Sequence, residues 1–112
     1  MISGLCVMIV CVIVVTDNPQ LHRFDVTVDG AAAGFADYHD HGSRRTFTHT
    51  EVDDAFEGQG VGSTLVRHVL DDARERHLEV IPVCPFVREY IARHLDEYVD
   101  LVPEPMRQKF GL

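Results

Sequence analysis

Phe56-Glu57-Gly58-Gln59-Gly60-Val61-Gly62 runs straight into a stretch whose apolar residues, Val61, Leu65, Val66, Val69, Leu70 and Ala73, recur at helical spacing. These positions fall on one face of a helix, and Arg67, Asp71, Asp72, Arg74 and Glu75 fall on the other. The pattern predicts a helix of about five turns. Glycines at 58, 60 and 62 allow positive φ and let a ligand come close to the backbone. A helix that starts there aims unpaired N–H groups and the positive end of its dipole at one spot. Such a spot holds phosphate without a cationic side chain. The spacing G-x-G-x-G is neither the dinucleotide fingerprint nor a P-loop, because no Lys-Ser/Thr pair follows it. On spacing alone, a glycine-rich turn that binds nothing is an equal reading.

Upstream, Phe24-Asp25-Val26-Thr27-Val28 alternates apolar with polar, as a half-buried strand does. Asp29-Gly30 is a hairpin turn signal. A second strand is expected through Gly34-Phe35-Ala36-Asp37-Tyr38, then a turn at Asp40-His41-Gly42-Ser43. A third is expected from Arg45 to Val52, with Thr46, Thr48, Thr50 and Val52 on one face and Phe47, His49 and Glu51 on the other. Downstream, Glu79-Val80-Ile81-Pro82-Val83-Cys84 is a short apolar strand ending at Pro85. Pro suits the first turn of a helix, and the second helix is expected from Phe86 to Tyr98, buried along Val87, Tyr90, Ile91, Leu95 and Tyr98. Pro103 and Pro105 stop it. The order β-β-β-α-β-α is an α+β fold: an antiparallel β-meander followed by helix-strand-helix.

The length, 112 residues, allows one small domain. With 10 Lys plus Arg against 18 Asp plus Glu, the formal charge is −8. Such a surface repels nucleic acid and anionic membranes and suits an amine-bearing partner. Three cysteines, Cys6, Cys11 and Cys84, do not make a disulfide framework and fit a reducing, cytoplasmic setting. Ile2 to Val15 is apolar and uncharged, yet short of the about 20 residues a membrane span needs. It lacks the basic region and cleavage site of a signal peptide, and its Val and Ile suit a strand. It is read as a non-essential extension over residues 1–16, with Met8 as a candidate start, followed by a turn at Thr16-Asp17-Asn18-Pro19 and a domain over residues 17–112. A membrane-associating segment and an added edge strand are the rival readings.

Three segments together, Thr48-His49-Thr50-Glu51-Val52, Glu57-Gly58-Gln59-Gly60-Val61-Gly62 and Ile81-Pro82-Val83-Cys84-Pro85-Phe86-Val87, resemble the GNAT superfamily of acyl-CoA-dependent N-acetyltransferases, in its minimal single-domain subfamily. The resemblance spans roughly Asn18 to Val102. It implies a truncated GNAT-like fold and acetyl-CoA as co-substrate. The pyrophosphate would lie on Gly58, Gln59, Gly60, Val61 and Gly62, and the backbone of Glu51, Val52 and Asp53 would hold the pantetheine arm. Two departures are visible. Glu57 stands where the superfamily has Gln or Arg, and the helices and terminal hairpin that build the acceptor pocket in full-size members are missing. Both favour the alternative, a non-catalytic CoA- or acyl-CoA-binding module.

Two side chains are candidates for the chemistry. Cys84, at the end of a strand and the start of a helix, is placed to be a reactive thiolate with Arg88 nearby. It could carry acetyl as an acetyl-Cys84 intermediate; the plainer reading is a buried structural thiol. His49 is the candidate general base for direct attack by an amine, or else a hydrogen-bonded residue of the sheet face. Asp37, His39 and His41 with His49 make at most a weak metal pattern, short of paired zinc-ligand spacing, and no metal is expected. Arg44 and Arg45 read as exposed charges, with a CoA phosphate as the alternative partner. The acceptor is an amine on a small molecule or a protein, and the chain is expected to be a monomer or weak dimer.

Overall fold

A computed structural model describes residues 12–56 and 58–112. Glu57, Met8, Cys6, Cys11 and the start of the apolar run lie outside the described residues. The strands are β1 (Ile13–Asn18), β2 (Arg23–Val28), β3 (Ala31–His41), β4 (Arg44–Val52) and β5 (Glu79–Pro82). The α-helices are α1 (Val61–Glu75), α2 (Pro85–Arg93), α3 (Leu95–Tyr98) and α4 (Glu104–Arg107). The sheet order is β1-β2-β3-β4-β5. Pairing is antiparallel from β1 to β4, and β5 runs parallel to β4. The α+β class therefore holds, with a fourth antiparallel strand added.

That strand, β1, corrects two expectations. Asn18 pairs with Arg23 and Ile13 with Val28, so residues 13–16 belong to the sheet and a boundary at 16/17 would cut a strand. The turn expected at Thr16–Pro19 is confined to its last residue, because Thr16, Asp17 and Asn18 are still in the ladder. The physical reason is the apolar alternation of Ile13 and Val15, which pack on the core. The Tyr38 hydroxyl also donates to Asp17 at 2.7 Å. The Asp29-Gly30 turn joins β2 to β3 with both residues at positive φ, 51° and 85°, the geometry of a tight hairpin.

The expected faces of β4 are corrected as well. Tyr38 pairs with Phe47 and Asp37 with His49, leaving Thr48 as an extra residue, a β-bulge. The bulge resets the alternation. Arg45 and Phe47 face the core before it and Thr50 after it, while His49 and Glu51 face out.

α1 buries the predicted line in full, from Val61 to Ala73. It is 15 residues long, about four turns rather than five. His77 takes a left-handed φ of 57°. Leu78 N–H reaches Ala73 O at 2.9 Å and His77 N–H reaches Arg74 O at 3.1 Å, closing the helix as a Schellman motif. The second helix is interrupted at His94, whose φ is −132°. Its Nδ1 lies 2.9 Å from Tyr90 O and takes the place of the backbone donor of that turn. Leu95 consequently leaves the buried line and is exposed, whereas Val87, Tyr90, Ile91 and Tyr98 are buried.

α1 and α2 share one core over one face of the sheet. Arg67 of α1 donates to Tyr90 of α2 at 3.3 Å, and Asp71 of α1 accepts from Tyr98 of α3 at 2.9 Å. Arg45, expected to be exposed, is 4 % exposed. It donates to both carboxylate oxygens of Asp40 at 2.7 and 2.8 Å and to Asp72 at 3.1 Å, beneath the Tyr38 ring at 4.0 Å. With each of its three nitrogens hydrogen-bonded, the guanidinium ties the β3–β4 hairpin to α1.

Candidate active site

β4 pairs with β5 only from Arg44 to Phe47, against Glu79 to Pro82. Past that point the strands part. The Thr48 bulge turns β4 away, and β5 breaks into a turn in which Cys84 N–H donates to Phe47 O at 2.8 Å before α2 begins. The edge of β4 from Thr48 to Val52 is thus left without a β5 partner. Asp53 N–H points the other way, to Ala33 O at 2.7 Å. Glu51 O also faces β3, so close to Gly34 that a Cβ there would collide with it. Backbone groups alternate sides along an antiparallel strand, so those of Thr50 and Val52 face the opening. Of Glu51, Val52 and Asp53, only Val52 presents its backbone to the cleft, and Thr50 joins it.

At the mouth of this cleft lies the glycine turn. Gly58 and Gly60 are left-handed, with φ of 82° and 77°, a conformation that glycine adopts without penalty. Gly60 is the N-cap of α1 and its carbonyl accepts Thr64 N–H at 3.0 Å. The first-turn N–H groups of Val61, Gly62 and Ser63 have no helical acceptor. Gln59 is exposed, whereas the Val61 side chain is buried, so Val61 offers only its backbone. Gly62 serves packing: a Cβ there would lie 2.5 Å from Phe86 Cζ and 3.5 Å from Val52 Cγ2. α1 and α2 therefore pack against each other at their N-termini. A shallow depression of about 320 Å³ runs from Gly60 past Ser63 and Thr64 to Arg67.

Cys84 is the N-cap of α2, followed by Pro85. Its thiol is buried and donates to Thr50 Oγ1 at 3.4 Å across the cleft. His49 lies on the other face of β4. Its Nε2 is 2.8 Å from Glu51 Oε2; with Nε2–H donating to the carboxylate, Nδ1 holds the lone pair in the neutral imidazole. Phe35 lies beside it, ring centres 5.9 Å apart. The fold does not bring His49 and Cys84 together, because Thr50 turns inward and His49 outward. Thr50 itself was missed from the sequence, since nothing there signals the bulge that turns it to Cys84. Among the described residues no group of three His, Cys, Asp or Glu side chains is arranged to hold a metal, and no helix is long and apolar enough to cross a membrane.

A sheet whose parallel pair splays beside two converging helix N-termini, one of them capped by left-handed glycines, leaves an open strand edge next to an anion-favouring corner. The family model described as GCN5-related N-acetyl-transferase matches residues 23–101, and the chain belongs to that family. No curated protein matches the chain.

Proposed function

We propose that this acetyltransferase-family chain uses acetyl-CoA to acetylate an amine. The observation that carries the reading is the unpaired edge of β4, which opens at one end onto the α1 N-terminus and at the other onto Cys84 and Thr50. The pyrophosphate would rest on the amides of Gly58 to Gly62, favoured by the helix dipole. The pantetheine amides would add to the β4 edge at Thr50 and Val52, as an extended ligand adds to an open strand. The thioester would then lie near the bulge.

Direct transfer is the better supported route. The amine nitrogen attacks the thioester carbonyl, the carbon–sulfur bond breaks, and CoA leaves as thiolate. His49 Nδ1 takes the proton the amine loses, and Glu51 holds the ring. Cys84 is 2 % exposed and its proton is committed to Thr50, which suits a cleft wall better than an acetyl carrier. Calorimetric titration with acetyl-CoA, followed by intact mass, tests the reading. Binding without an acetyl adduct is expected. A gain of one acetyl group, lost in Cys84→Ala, would reinstate the covalent route. Binding with no turnover on any amine would leave the CoA-binding module, and no binding would refute the site.

A further inference from the structure

We infer that the outer face of the sheet docks a cationic polypeptide that presents the acceptor amine. The inference rests on the transfer reading above and names its acceptor class. His49 and Glu51 open onto the face opposite α1 and α2, so an amine that gives its proton to His49 arrives from that side. Among the described residues no helix covers it. Its side chains form two rows across three strands by register: Arg23, Asp37 and His49, then Asp25, Phe35 and Glu51.

Charge and shape then choose the partner. Arg23 is the one cation of the two rows. It is ion-paired, its Nε 2.9 Å from Asp25 Oδ1 though not aligned as a hydrogen bond, and its guanidinium lies 5.0 Å over the Phe35 ring. Asp37 has no cationic partner within 4.0 Å among the described residues, and Glu51 meets only His49. The net charge of these two rows is negative and favours a cation. Small amines are recognised in concave pockets that bury most of their surface. Here the concavities are two open dishes, one of about 270 Å³ between Arg23, Phe35 and Glu51 and one of about 250 Å³ beside Asp37, His39 and Thr48. Each accommodates one side chain, while the remaining affinity must come from contacts spread over the sheet between them. A basic polypeptide meets both demands.

The test uses the full chain with a lysine-rich peptide, a matched glutamate-rich peptide and spermidine, at low salt because exposed charges are screened within about 10 Å at 0.1 M. Amide shifts in NMR should centre on Asp25, Phe35, Asp37 and Glu51, and spermidine should bind at least roughly tenfold more weakly than the lysine peptide. Asp37→Lys should weaken the peptide by a similar factor, while Asp96→Lys on the helical side should leave it within about twofold. Asp37→Asn replaces the lysine variant should that fail to fold, with a smaller loss of the same sign. Equal weakening by the two lysine variants, shifts centred on Leu95 to Asp100, equal binding of spermidine, or binding of the glutamate peptide would each overturn the inference. Acetyl-CoA titrated into the same sample separates the two claims. Peptide docking without CoA binding removes the transfer reading alone; CoA binding without docking removes the surface alone.

Discussion

Replacing Gly62 with alanine should destabilise the protein in one background and stabilise it in another. Gly62 sits in the first turn of α1 with an ordinary helical backbone, and alanine there gains up to about 1 kcal/mol of helix propensity. Against this, the new Cβ would stand 2.5 Å from Phe86 Cζ and 3.1 Å from Cε1. Overpacking of this kind costs about 1–3 kcal/mol. The ring is 40 % exposed, so it can swing part-way outward and a mid-range cost of about 2 kcal/mol applies. The net effect of Gly62→Ala is then a loss of about 1 kcal/mol. With Phe86→Ala in place there is nothing for the Cβ to strike, and the same substitution should gain up to about 1 kcal/mol. The coupling energy is about 2 kcal/mol, well above the usual additivity error of about 0.3–0.5 kcal/mol. Urea unfolding of the four proteins in the cycle reads it directly. An equal effect of Gly62→Ala in both backgrounds would refute the claim that the two helix N-termini meet through this contact.

Arg45→Met should cost about 3 kcal/mol, the low end for breaking a buried pair, because Asp40 and Asp72 are partly exposed and can rehydrate; chemical denaturation measures it. Below about pH 4 the protein should lose stability. Arg45 holds Asp40 below its ordinary 3.8 and Arg74 does the same for Asp100, so the unfolded chain takes up protons first as pH falls; acid titration by circular dichroism checks this, and Asp40→Asn should flatten the slope. Stability should also fall between pH 10 and about 12. Burial, then the hydrogen bonds to Asp17 and Asp71, push Tyr38 and Tyr98 up to about 12 from 10.0, so the unfolded chain ionises first, at about 1.4 kcal/mol per pH unit for each tyrosine. In turnover assays His49→Ala should fall by roughly a hundredfold or more, whereas Cys84→Ala should stay within about tenfold of the parent if the thiol is a wall.

The periodic segments were readable because burial and spacing agree in them. Every buried position of α1 was legible, as was the Asp29-Gly30 turn. What escaped was set by contacts distant in sequence or by single bonds. The Thr48 bulge depends on how β4 lies against β3, and it moved Thr50 to the Cys84 side of the strand. Arg45 has the composition of a surface residue, and only the pairing of Asp40 and Asp72 around it makes its burial tolerable. The break at His94 follows from one imidazole hydrogen bond to Tyr90 O, which no helical period records. Glycine positions 58 and 60 were legible as turn residues; that Gly62 serves packing and not turning depends on Phe86, 24 residues away.

The placement of the candidate site follows from the one parallel pairing in the sheet. A parallel strand pair joined by a helix puts the carboxyl ends of both strands at the same end of the sheet, and ligands of such units gather outside those ends. Here β4 leads into α1 and β5 into α2, so both helices start at that end and their positive dipole ends converge there. Thr50 and Cys84, 34 residues apart, meet for the same reason. The net charge of −8 is no obstacle to an anion at this point, because a dipole end acts within about one turn while surface charges farther off are screened by salt. Acidic composition and the phosphate site proposed at the glycine turn therefore do not conflict: surface charge acts over the open sheet face, whereas the helix dipole acts only where the parallel pair ends.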